Sequence, residues 1–169
     1  MKKYNLMIAV VLTVALLPLF TGVGLVCAEG RAELYMSDVT GTSRLQHAKV
    51  SVNAEQALRL MANVPEGKTL KAYNITIVYD QNIVGFSKAV PSQGSPLAPR
   101  NINAGTPGLI TINGFDVTGM EGSGIPLCDF VFLGKMPGVF QLIIAPNSFG
   151  SSAADVFIPL ADTIEVSVQ

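Results

Sequence analysis

The segment Leu70-Lys71-Ala72-Tyr73-Asn74-Ile75-Thr76-Ile77-Val78-Tyr79-Asp80-Gln81-Asn82-Ile83-Val84-Gly85-Phe86 alternates with a period of two: Tyr73, Ile75, Ile77 and Tyr79 stand against Ala72, Asn74, Thr76 and Val78. Successive side chains of an extended chain point to opposite faces, so this spacing lays the first set against a core and turns the second outward. Asp80-Gln81-Asn82 interrupts it with residues that favour turns. The same alternation recurs in both directions along the chain. Ile110 and Ile112 alternate with Thr111 and Asn113, and Ile164, Val166 and Val168 alternate with Glu165 and Ser167. The segments 125–133 and 138–144 are apolar on both faces, which predicts strands that are covered on both sides or lie centrally in a sheet.

Turn signals separate these segments at Pro65-Glu66-Gly67, Pro107-Gly108, Glu121-Gly122-Ser123-Gly124, Pro137-Gly138 and Asn147-Ser148 with Gly150. Short strands joined by such turns must stack two sheets to bury their apolar faces, so the expected class is an all-β sandwich. Residues 54–63 favour a helix by propensity. Leu58, Leu60, Ala62 and Val64 nevertheless alternate with Arg59, Met61 and Asn63, so the segment reads as a strand after a turn at Asn53–Gln56. Pro91–Gly108 is rich in Pro and Gly and reads as a long loop, mobile rather than chemically active. No repeat of solenoid length is visible.

A chain of 169 residues holds about one domain. It is 49% hydrophobic and only 14% charged, against a usual charged share of about 25%. A net charge of −1 without a basic stripe argues against nucleic-acid binding. Much of the apolar excess lies at the start. Lys2 and Lys3 precede an apolar run from Leu6 to Phe20, broken only by Thr13, and Val26-Cys27-Ala28 stands ahead of Glu29. This is the pattern of a secretory signal-peptide helix cleaved between Ala28 and Glu29. An uncleaved anchor and a lipoprotein modified at Cys27 are the rivals. The expected organisation is a signal peptide at 1–28, a lead-in with the first strand at 29–44, and a sandwich domain at 45–169. The address is then bacterial and secreted, periplasmic or extracellular, with no membrane attachment after cleavage.

Chemistry-bearing groups are sparse. His47 is the only histidine, no G-x-S-x-G elbow occurs, and Gly122-Ser123-Gly124 reads as a turn. The carboxylates Asp116, Glu121, Asp129, Asp155 and Asp162 are scattered, and nothing in their spacing selects a catalytic pair. One His and one distant Cys make no zinc site, and neither a calcium loop nor a phosphate loop is present. The expectation is therefore no catalytic residue, no metal and no cofactor. Once Cys27 leaves, Cys128 is alone; it pairs with no other cysteine of the chain and reads as a buried small hydrophobe. Asn74-Ile75-Thr76 matches a glycosylation sequon by chance, inside a strand of a bacterial chain. Without Trp, and with Tyr73 and Tyr79 in register with core positions, a flat sugar-stacking platform is disfavoured.

The order of these segments resembles the cohesin family. Leu70 to Phe86 is similar to its aligned apolar strand, Tyr-Asp turn and short apolar strand, with Gln81 in place of Pro. Gly108-Leu109-Ile110-Thr111-Ile112-Asn113-Gly114, then Gly122-Ser123-Gly124-Ile125-Pro126-Leu127-Cys128-Asp129-Phe130-Val131-Phe132, resembles its G-x-I-x-I and GSG passage. Thr163 to Val168 resembles its last strand. The likeness spans about residues 45–168. It implies a nine-stranded jelly-roll sandwich and a non-enzymatic module that binds a protein partner, a dockerin, through one sheet face. The outward positions Ala72, Asn74, Thr76 and Val78 correspond to that face, and of these Asn74 and Thr76 are polar. The alternatives are a carbohydrate-binding module of the same superfamily, with a polysaccharide ligand, and a structural or adhesive envelope subunit associating through Cys128 or an edge strand.

Overall fold

The computed structural model describes residues 30–152 and 155–169. The expected signal peptide and its cleavage site at Ala28 and Glu29 lie outside the described residues. Twelve strands follow in order: β1 (Glu33–Ser37), β2 (His47–Val50), β3 (Glu55–Val64), β4 (Leu70–Val78), β5 (Val84–Pro91), β6 (Asn101–Asn103), β7 (Leu109–Met120), β8 (Gly122–Gly134), β9 (Gly138–Ser152), β10 (Asp155–Val156), β11 (Leu160–Ala161) and β12 (Thr163–Val168). Nine of these have four residues or more, while β6, β10 and β11 are shorter additions, so the expected nine becomes twelve among the described residues.

The strands form two sheets, one ordered β11-β1-β3-β8-β5 and the other β2-β12-β9-β4-β7-β6, with β10 paired to β9. Alternation explains the layering. Tyr73, Ile75 and Ile77 of β4, Ile110 and Ile112 of β7, and Phe140, Leu142 and Ile144 of β9 are buried, and they face Leu34, Leu58, Leu60, Phe130 and Phe132 of the opposite sheet. Each fully buried side chain of this size is worth about 1.5–3 kcal/mol of transfer free energy, which is how a chain with a single described cysteine holds a fold without covalent staples. The two ends of the chain interlock: β1 pairs in parallel with β11, and β2 pairs in parallel with β12.

Residues 55–64 are a strand, as the alternation predicts; sheet pairing with β1 and β8 overrides their helix propensity. The turn before it places Asn53 at a φ of 62°, a left-handed conformation that Asn tolerates. β8 is buried on both faces through Phe130, Val131 and Phe132, as predicted.

Segment 138–144 lies centrally in its sheet, one of the two placements predicted, with one side covered: Val139 and Ile143 point outward, 60% and 42% exposed. Its apolar residues serve the core and also an open outer face. The turn read at Asn147-Ser148 is absent, because β9 continues to Ser152 through a bulge. Pro146 has no N–H to give a ladder, and the bulge absorbs that loss.

The Pro91–Gly108 stretch crosses from the edge of one sheet to the edge of the other and is tied down on the way. Leu97 is fully buried, the Tyr73 hydroxyl donates to its carbonyl at 2.8 Å, the Ser92 hydroxyl donates to Asp129 at 2.8 Å, and β6 pairs with β7. The Pro and Gly content marked an irregular path; it did not reveal the inward Leu97.

Candidate functional site

The outer face of the larger sheet takes its pattern from strand register. Asn74 lies between Asn113 of β7 and Ser148 of β9, Thr76 between Thr111 and Ala145, Val78 between Leu109 and Ile143, and Ala72 between Phe115 and Gly150. Ala72, Asn74, Thr76 and Val78 therefore form one outward row along the middle strand of this region, as expected. β6 extends two of the rows, with Asn101 opposite Asn113 and Asn103 opposite Thr111. From Ala72 to Val78 the row runs about 20 Å at strand rise.

Its centre is amides and hydroxyls, already bonded to one another. The Asn147 side-chain nitrogen donates to Asn74 Oδ1 at 3.0 Å and to Thr76 Oγ1 at 2.9 Å, and the Thr76 and Thr111 hydroxyls share a hydrogen bond of 3.1 Å. Both ends are apolar and open. At one, Ile143 and Leu109 flank Val78; at the other, Phe115 is 57% exposed with the Arg100 guanidinium over its ring at 5.5 Å. Beside Ala72 a hollow of about 330 Å³ is lined by Ser148, Gly150, Ser152 and Val156. Large exposed apolar groups around a fixed polar centre are the composition of a binding surface.

The opposite outer face is different. Arg59 reaches the Asp129 carboxylate through two bonds of 2.7 and 2.8 Å, and Arg44 bridges Glu33 and Asp162 while lying over the Tyr35 ring. Burial would raise the Asp129 carboxyl, but hydrogen bonds from Arg59 and Ser92 and the guanidinium charge hold it below the ordinary carboxylate range. The charges of this face answer each other, and the turn at 38–45 folds over part of it, with Gly41 against Met61.

Groups that could carry chemistry do not converge. His47 is exposed on β2, 3.3 Å from Glu165, and no cluster of three metal-ligating residues exists among the described ones. Cys128 is fully buried, and desolvation, with the Asp129 charge next, pushes its thiol up to about 12. That corrects the suggestion that Cys128 could mediate association: the folded chain gives a partner no access to it. A cleft of about 420 Å³ between the sheet edges is lined by Tyr79, Phe86, Ser87 and Lys135, and the Lys135 ammonium is bonded across it to the Gln81 carbonyl at 3.0 Å.

Alternation made Asn74, Thr76, Thr111 and Asn113 legible as outward residues. Asn147 was missed because it was read as a turn. Pro146 within an apolar run was the signal that could have marked a bulge there.

No protein-family model matches the chain, and no curated protein matches it. Solved structures do. The cohesin module of a Clostridium perfringens family 33 glycoside hydrolase is similar at a TM-score of 0.65 and 10% identity, covering 83% of this chain and 98% of that one. The seventh ScaB type I cohesin of Pseudobacteroides cellulosolvens is similar at 0.63 and 14%, covering 82% and 92%. The sixth cohesin of Acetivibrio cellulolyticus scaffoldin B, solved in complex with a doubly substituted mutant of the Cel5 dockerin, is similar at 0.60 and 11%, covering 82% and 99%. Identities this low speak of architecture, and the fold of this chain is the cohesin fold.

Proposed function

We propose that this chain is a non-enzymatic interaction module that binds a protein partner of dockerin type through the outer face of its larger sheet. The observation that carries the reading is the pre-bonded centre of that face, Asn74, Thr76, Asn147 and Thr111, bordered by exposed apolar side chains. Such a face gives a partner hydrogen-bonding groups whose rotamers are already fixed, and ordering costs at binding fall accordingly. The cohesin complexed with the mutant Cel5 dockerin, similar in fold, supports the partner class. The same reading makes this an exported bacterial protein, released by cleavage between Ala28 and Glu29; a native protein beginning at Met1 would overturn that part.

The test is calorimetric titration of the purified protein with the Cel5 dockerin and with dockerin modules encoded beside its own gene, with and without calcium. Stoichiometric, calcium-dependent binding, weakened by Asn74→Ala with Thr76→Ala at an unchanged melting temperature, is the expected result. Binding that ignores this double variant would move the site elsewhere; binding to none of the dockerins would remove the partner class.

A further inference from the structure

We propose that Asn147 is the positioning residue of this face and that the partner meets it with an uncharged group able both to accept and to donate a hydrogen bond. The inference rests on reading this face as the interaction surface. It starts from backbone chemistry. In the β4–β9 ladder Ile75 is opposite Pro146, but Asn74 is opposite Ser148, so Asn147 is the extra residue of a bulge. A bulge leaves its extra residue out of the ladder and re-aims the side chain. Here the amide lands across the middle strand, where one nitrogen bridges Asn74 Oδ1 and Thr76 Oγ1. Without the bulge these two side chains would stand side by side with no group between them.

The hydrogen-bond inventory then says what remains for a partner. An Asn amide carries two donor hydrogens and one acceptor oxygen. Both Asn147 hydrogens are used, and Asn74 Oδ1 already accepts one of them. Asn74 Nδ2 is left as a donor and Asn147 Oδ1 as an acceptor, on exposed or half-buried residues of the same small patch. The residues in register around them, Asn113, Thr111, Ser148 and Ala145, are uncharged. A partner carboxylate or ammonium placed there would lose its water without a countercharge. A hydroxyl, a side-chain amide or a backbone peptide group meets both free positions.

The experiment compares Asn147→Ala, Asn147→Asp and Asn74→Ala in the purified protein. It reads side-chain amide resonances by NMR and affinity for the Cel5 dockerin by calorimetry. In the parent protein the Asn147 amide protons exchange slowly and those of Asn74 fast. Asn147→Ala shifts the Asn74 amide resonances and lowers affinity roughly threefold to tenfold, the effect of one or two exposed hydrogen bonds. Asn147→Asp lowers it further at neutral pH, because a carboxylate against Asn74 Oδ1 forces the Asn74 amide to turn over. Asn147→Ala costs less in an Asn74→Ala background than in the parent protein, because only the Asn147 Oδ1 contact is then left to lose. Unchanged Asn74 resonances in Asn147→Ala would overturn the proposal, as would affinity that falls in Asn74→Ala but not in Asn147→Ala, with the face itself left standing. Affinity indifferent to all three variants would overturn both. Where this dockerin does not bind, the Asn74 resonances decide the positioning role alone.

Discussion

Gly114 and Tyr73 sit opposite each other on β7 and β4, and the aromatic ring occupies the space a side chain at 114 would need. A Cβ built on Gly114 would lie 2.7 Å from Cε1, Cζ and Oη of Tyr73. Ordinary carbon contacts start at about 3.5 Å, so in Gly114→Ala the ring must retreat by several tenths of an ångström or the strands must part. Overpacking of this kind costs about 1–3 kcal/mol. The ring tip is also committed, because its hydroxyl donates to the buried Leu97 carbonyl at 2.8 Å. A retreat that breaks this bond adds about 1–3 kcal/mol for an unsatisfied buried acceptor. Gly114→Ala should therefore cost about 2–6 kcal/mol, a large share of a total near 5–15 kcal/mol. Urea unfolding followed by far-ultraviolet circular dichroism measures it, and a double-mutant cycle isolates its cause. In a Tyr73→Leu background, which lacks the obstructing atoms, Gly114→Ala should cost under about 1 kcal/mol. Equal costs in the two backgrounds would refute the steric account. Amide exchange should also quicken around Leu97 in Tyr73→Phe, since that hydroxyl anchors the segment leading to β6 and its outward Asn101 and Asn103.

Asp129→Asn should destabilise the protein by roughly 1–3 kcal/mol at pH 7 by leaving Arg59 without its carboxylate. Because the folded-state value of Asp129 is lowered, that advantage is complete above the ordinary aspartate value and disappears as the pH falls through the lowered one. The gap between the two unfolding curves should thus begin to narrow only near the ordinary aspartate value of about 3.9 and close beneath the lowered folded-state value; a gap that does not change with acid would contradict the ion-pair origin. Cys128, buried and with its thiol pushed up to about 12, should resist a disulfide reagent at pH 8 in the folded protein and react fully in guanidinium; rapid labelling of the native state would show that the core opens there. On the proposed function, Ala72→Phe should fill the hollow at the end of the outward row and weaken dockerin capture by about tenfold with little change in melting temperature, whereas unimpaired capture would exclude that end from the interface.

The sandwich was legible because burial imposes a period that survives in the primary structure: Tyr73, Ile75 and Ile77 inward, Asn74 and Thr76 outward. The same rule left two placements open for segment 138–144, since an apolar side chain looks alike whether it faces a core, as Phe140 does, or an open surface, as Val139 and Ile143 do. Leu97 was hidden for a related reason. A single inward residue in an irregular segment has no period to betray it, and only the cavity it fills makes it part of the core.

By itself, the amino-acid sequence determined the all-β class, the outward row Ala72, Asn74, Thr76 and Val78, and the scarcity of groups fit for catalysis, because these follow from local alternation and from residue types. Only the tertiary structure decided which strands lie beside that row, that Asn147 bridges its two polar members, and that Arg44 and Arg59 of the other face are answered by carboxylates. Register and bulges are set by pairing between segments far apart in the chain. A hydrogen bond from Asn147 to Asn74 exists only once the whole sheet is assembled.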